Sequence, residues 1–85
     1  MLIQILGAGC AKCSRLAENA DAAAKECHAD YTLEKITDIV QIAAFDVMRT
    51  PALFIDGKLQ CSGTVPTVEE IKAMILASGI KEGQE

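Results

Sequence analysis

Residues 2–13, Leu-Ile-Gln-Ile-Leu-Gly-Ala-Gly-Cys-Ala-Lys-Cys, narrow the choice of fold more than any other stretch of the chain. The apolar run Leu2, Ile3, Ile5 and Leu6, interrupted only by Gln4, reads as a strand buried on both faces. Gly7 to Gly9 mark a turn, and from Ala11 the pattern becomes helical. Cys10 therefore falls where a helix begins, among unpaired N–H groups and at the positive end of the helix dipole. That setting favours thiolate over thiol, and thiolate is the form that attacks disulfides or binds soft metals. Cys13 follows about one helical turn later, near enough to close a small disulfide ring with Cys10. Gly7 and Gly9 leave room for close approach by another stretch of backbone. These features point to a reversible dithiol/disulfide site on a small α/β scaffold; the plainer alternative is a pair of buried cysteines at a helix start.

The remaining chain supplies the scaffold. Between Ala11 and about Ala29, Cys13, Leu16, Ala17, Ala20, Ala23, Ala24 and Cys27 recur at spacings of three and four, a helical face built mostly of alanine that lets the helix approach a sheet closely. Tyr31 to Ile36 alternates and carries β-favouring residues, giving a second strand. Thr37-Asp38 opens a shorter helix, with Asp38 as N-cap forming a capping box with Gln41 three residues on, and Ile39, Ile42 and Ala43 as its apolar side. Arg49-Thr50-Pro51 stops that unit, since proline disfavours helix in the residue before it. Ala52–Ile55 and Lys58–Ser62 form two strands joined by the hairpin signal Asp56-Gly57. After a loop at Gly63 to Pro66, Thr67 and Glu70 form a capping box for a last helix with Val68, Ile71, Met74 and Ile75 on one side and Leu76 beside them. The order β-α-β-α-β-β-α, with a right-handed parallel crossover and an antiparallel hairpin, implies a four-stranded mixed sheet with helices on both faces. One domain over residues 1–80 and a loose tail over 81–85 are expected.

Composition removes several functions. A net charge of -4 and no cluster of Lys or Arg give no electrostatic support for nucleic-acid or anionic-membrane binding. No apolar run reaches transmembrane length, and the short Met1–Leu6 run lacks the basic start of a signal peptide, so a cytoplasmic location is expected. The aromatic residues are only Tyr31, Phe45 and Phe54, which leaves packing to Ile, Leu, Val and Ala. With an ordinary core of this kind, Cys-x-x-Cys in a reducing compartment reads as redox-active or metal-binding rather than as a structural staple.

Cys10-Ala-Lys-Cys13 after strand one, Thr50-Pro51 immediately before strand three, the Asp56-Gly57 hairpin and Gly63 before the final helix together resemble the thioredoxin-like fold, in the small prokaryotic thioredoxin-like or glutaredoxin-like form. The resemblance covers nearly the whole chain. It implies a cis Thr50–Pro51 bond, with its loop facing the dithiol and contributing to substrate binding. Cys10 would be the attacking cysteine and Cys13 the resolving one. Beside this, the residues themselves put Gly9, Ala11 and Lys12 in the thiolate environment, Lys12 either stabilising the charge or standing as a solvated residue in an exposed turn. The implied activity is thiol–disulfide exchange with protein disulfides, recharged by a thioredoxin-reductase-type enzyme or another thiol electron donor, with no cofactor and no metal. The chain departs from the family where Gly-Cys-Ala-Lys-Cys stands in place of Trp-Cys-Gly-Pro-Cys and where strand one carries Gln4 instead of an acid.

The competing class is a soft-metal module, since Gly-x-Gly-Cys-x-x-Cys after a first strand also suits a Cu(I)-type chaperone. Such domains run β-α-β-β-α-β and end in a strand, whereas a capped helix ends this chain. Cys27 shares the apolar side of the first helix, and Cys61 alternates with Leu59 on one side of strand four; both read as core. His28 suits a helix C-terminus.

Overall fold

The computed structural model describes residues 1–9, 11–28, 30–47 and 49–77. The elements run β1 (Leu2–Leu6), α1 (Ala11–Glu26), β2 (Thr32–Ile36), α2 (Ile39–Ala44), β3 (Ala52–Ile55), β4 (Lys58–Ser62) and α3 (Val68–Ala77). The sheet order is β2-β1-β3-β4. β1 pairs parallel with β2 and antiparallel with β3, and β3 pairs antiparallel with β4. The mixed four-stranded sheet of the sequence reading is thus the observed one. The end of β1, the end of β2, the start of β3 and the end of β4 all meet at one edge of the sheet, from which residues 7–9, 49–51 and 63–66 lead off.

Alternation along the strands divides the core into two layers. Ile3, Ile5, Leu53 and Ile55 point to one face, where Leu16, Ala17, Ala20, Ala23 and Ala24 of α1 pack with Ile71 and Ile75 of α3. The small alanine side chains let α1 lie close to both partners. Leu6, Ile36, Ala52 and Phe54 point to the other face, covered by Ile42, Phe45 and Val47. The Phe45 and Phe54 rings meet edge to face with centroids 5.0 Å apart, a favoured aromatic geometry.

Two local devices fix the frame. At the hairpin, Asp56 and Gly57 both adopt positive φ (51° and 83°), as a type I′ turn requires. Asp56 also holds the start of β1: its carboxylate accepts from Leu2 N–H at 2.8 Å and its own N–H donates to Leu2 C=O at 2.8 Å. The α3 capping box forms in both directions, with Glu70 N–H donating to Thr67 Oγ1 at 3.2 Å and Thr67 N–H to Glu70 Oε1 at 2.9 Å.

Several sequence expectations need correction. α1 ends at Glu26 rather than near Ala29, because His28 takes a left-handed conformation (φ 55°) and its N–H turns back to Lys25 C=O. Ala29 itself lies outside the described residues, as does the 81–85 tail with the preceding 78–80. α2 ends at Ala44, well before Pro51; the left-handed Asp46 (φ 59°), whose N–H donates to Ala43 C=O, stops it. Of the apolar side assigned to α2 only Ile42 packs: Ile39 is 72% exposed and Ala43 is exposed. A helix of six residues is too short to cover the sheet, and Phe45 and Val47 beyond its end complete the cover. Cys61 and Leu59 do not share a side, because a bulge inserts Gln60 and pairs Leu53 with Cys61 but Phe54 with Leu59. Cys61 therefore packs against the α1/α3 layer while Leu59 is 52% exposed.

Candidate active site

The loop edge of the sheet gathers the residues singled out from sequence. β1 runs into the turn at Gly7, whose N–H donates to Ile36 C=O at 2.9 Å and so extends the β1–β2 pairing. Gly9 has φ 84° with open space around its Cα; glycine is required there by backbone conformation, not by crowding. Cys10 lies outside the described residues. Ala11 and Lys12 begin α1 as exposed residues, and Cys13, the third residue of the helix, is buried. No acidic residue occupies the first turn of α1 to offset the positive end of its dipole.

Cys13 is held from below. A Cβ built at Gly7 would lie 2.1 Å from Cys13 Sγ and 3.1 Å from Cys13 Cβ, with Pro51 Cα 3.9 Å away. The sulfur therefore occupies the space that any side chain at position 7 would take, and the same spot borders Pro51. A pocket of about 150 Å³ beside Cys13 is lined by Ile5, Gly7, Gly9, Ser14, Lys35 and Thr37.

The Thr50–Pro51 peptide is cis, with Thr50 exposed and Pro51 buried. Pro51 C=O accepts from Gly63 N–H at 2.8 Å, joining the loop before β3 to the loop after β4. Gly63 has φ 76°, and a Cβ there would meet Arg49 Cδ at 3.0 Å, so the aliphatic stem of Arg49 lies across the glycine. Thr50, Pro51, Gly63 and Cys13 are thus linked through neighbouring backbone and side-chain contacts at this edge, with Thr50 exposed and Pro51 and Cys13 buried beneath it.

This arrangement holds the Cys13 sulfur buried beside Gly7 and the cis-proline loop. Sequence reasoning does not single out Lys35, Thr37 or Arg49. The signal for Lys35 is the β1–β2 register, which pairs it with Ile5; a register across a crossover is not written in local sequence. Cys61 stands apart, in a groove with Thr64, Val65, Pro66, Glu70, Ala73 and Met74. Burial pushes its thiol up from the ordinary cysteine value, while hydrogen bonding with Thr64 and with the Leu53 backbone pulls the other way. Among the described residues no group of three or more His, Cys, Asp or Glu side chains is arranged to hold a metal ion, and no helix is long and apolar enough to cross a membrane.

A family profile described as Thioredoxin domain matches residues 1–76. The chain belongs to the thioredoxin family. Its relatives include a thioredoxin of Methanothermobacter thermautotrophicus, 43% identical over 75 residues, which span 88% of this chain and 97% of that protein. A thioredoxin of Methanocaldococcus jannaschii is 39% identical over 72 residues, spanning 85% of this chain and 83% of that protein. The thioredoxin-like α/β fold expected from the sequence is therefore the fold of this chain, and its class is that of thioredoxin-type redox proteins.

Proposed function

We propose that this thioredoxin-family chain is a protein-disulfide oxidoreductase that exchanges a Cys10/Cys13 dithiol with disulfides of protein substrates. Cys10 thiolate attacks one sulfur of the substrate disulfide, forming a mixed disulfide and releasing the first substrate thiolate. Cys13 then attacks Cys10 Sγ, releasing the second substrate thiolate and leaving Cys10–Cys13 oxidised. Two electrons from a thioredoxin-reductase-type enzyme or another thiol donor restore the dithiol. Gly9, Ala11 and Lys12 set the environment of the attacking thiolate, and Thr50 with Pro51 binds the substrate chain next to it. The protein works in the cytoplasm.

The observation that carries this reading is the packing of Cys13 Sγ over Gly7 and next to Pro51, in a chain whose family profile spans residues 1–76. A resolving sulfur has to wait, protected, within reach of the first sulfur and close to the substrate loop. Against the Cu(I)-type alternative stands the element order, in which α3 and no further strand follows the β3–β4 hairpin among the described residues. Insulin-type disulfide reduction with a chemical reductant tests the assignment: Cys10→Ser and Cys13→Ser should each abolish turnover, and loss of turnover in Cys61→Ser instead would refute it.

A further inference from the structure

We propose that a basic groove along α1 selects disulfides flanked by acidic side chains; this rests on the oxidoreductase reading and names its substrate class. The groove, about 510 Å³, is lined by Ala11, Lys12, Arg15, Asn19, Val65 and Thr67. Lys12 and Arg15 are three apart on the helix and so project from one side of it. Both are exposed, and neither enters an ion pair among the described residues. Lys25 and Lys72, by contrast, are neutralised locally, by Asp21 at 3.1 Å and by Glu26 at 3.1 Å, whereas the remaining described cations Lys35, Arg49 and Lys58 are also unpaired but line no part of this groove.

No carboxylate lines the groove, although the chain carries 12 acidic residues against 8 basic ones. Glu70, just beyond it, has its carboxylate occupied by Thr67 N–H. The far wall is fixed, because Asn19 Nδ2 donates to Pro66 C=O at 3.0 Å and ties α1 to the loop before α3. Ala11 and Lys12, the two residues between the cysteines in the chain, line one end of the groove, so a peptide lying in it borders the Cys-x-x-Cys segment. Two unneutralised cations over an apolar lining of Ala11 and Val65 fit a polypeptide bearing Glu or Asp beside its cysteine. A nucleic acid would require a longer basic track and a less acidic chain.

Exposed ion pairs contribute about 0.2–1 kcal/mol each and are screened by salt. Two of them, acting together, correspond to a rate preference of roughly two- to thirtyfold. The test compares two disulfide-bonded peptides, identical except that Glu or Gln flanks each cysteine, as substrates of the intact protein. The expected result is a kcat/KM ratio of about two or more for the Glu peptide at low salt, falling towards one in about 0.5 M salt. The Lys12→Gln/Arg15→Gln double variant should also bring the ratio to about one; using the ratio separates selection from any change in overall rate. Equal rates for both peptides, with turnover intact, would overturn the groove assignment and leave the oxidoreductase reading standing. Persistence of the preference in the double variant would also overturn it. Reduction of neither peptide would remove the oxidoreductase reading and this inference together.

Discussion

The Sγ of Cys13 fills the position that a side chain on Gly7 would occupy: the distance to an ideal Cβ is 2.1 Å, far inside van der Waals contact. The residue that follows β1 and the third residue of α1 are therefore matched in shape. Gly7→Ala must displace Cys13 or the backbone around Pro51. The expected cost is about 1–3 kcal/mol of stability, the usual range for overpacking a tight site. A mixed disulfide on Cys10 should also persist longer before resolution, as followed by quenched-flow mass spectrometry. Gly9→Ala provides the contrast: with open space but φ 84°, it should cost about 1–2 kcal/mol through backbone strain without displacing Cys13.

Tyr31 and Asp21 set a pH signature on stability. The Tyr31 hydroxyl donates to Asp21 Oδ1, which holds the Asp21 carboxyl below its ordinary value and the Tyr31 phenol above its own. For Asp21 the contribution is present above the ordinary carboxylate value of 3.8 and is lost as pH falls through its lowered folded value. For Tyr31 it is present below the ordinary phenol value of 10.0 and is lost as pH rises through the raised folded value. Tyr31→Phe should therefore lower Tm by a constant amount between about pH 5 and 9, with the difference shrinking at both extremes. Thermal melts followed by circular dichroism against pH provide the check.

The Thr67/Glu70 box should show in the stability of α3. Thr67→Ala removes the side-chain acceptor for Glu70 N–H and is expected to cost about 1 kcal/mol in urea unfolding. Glu70→Gln keeps an acceptor for Thr67 N–H but loses the charge at the helix start; it should cost less.

Cys61 should be a poor nucleophile. It is half-buried, and burial is the largest influence raising its thiol. Alkylation by iodoacetamide at pH 7, followed site by site by peptide mass spectrometry, should run slower at Cys61 than at a cysteine in an unfolded peptide.

The Thr67 cap of α3, the Asp38 cap of α2 (its carboxylate accepts from Val40 N–H at 2.9 Å), the Asp56-Gly57 turn and the alanine face of α1 were legible in sequence because each depends on residues near one another in the chain. Bond for bond, Thr67 and Glu70 form the box that their spacing announces. What sequence could not give depends on long-range geometry or on an unmarked local event. The Gln60 bulge moves Leu59 and Cys61 to opposite sides, and nothing in Lys-Leu-Gln-Cys-Ser signals it. Asp46 and His28 end their helices in left-handed conformations usually left to glycine. At the site, Cys13, Thr50 and Pro51 were named from the chain, but the reason Gly7 must be glycine appears only once β1, α1 and Pro51 meet. Lys35 joins the Cys13 pocket through the parallel register of β2 with β1.

The division of labour between the two cysteines is tested most directly by trapping. Cys13→Ser is mixed with a disulfide-bonded peptide and analysed by non-reducing mass spectrometry, beside Cys10→Ser and the parent. Cys13→Ser should accumulate a stable adduct of one peptide chain on Cys10, while the parent passes through to an internal Cys10–Cys13 disulfide. An adduct on Cys13 in the Cys10→Ser protein with none on Cys10 in Cys13→Ser, or no adduct on either, would contradict it.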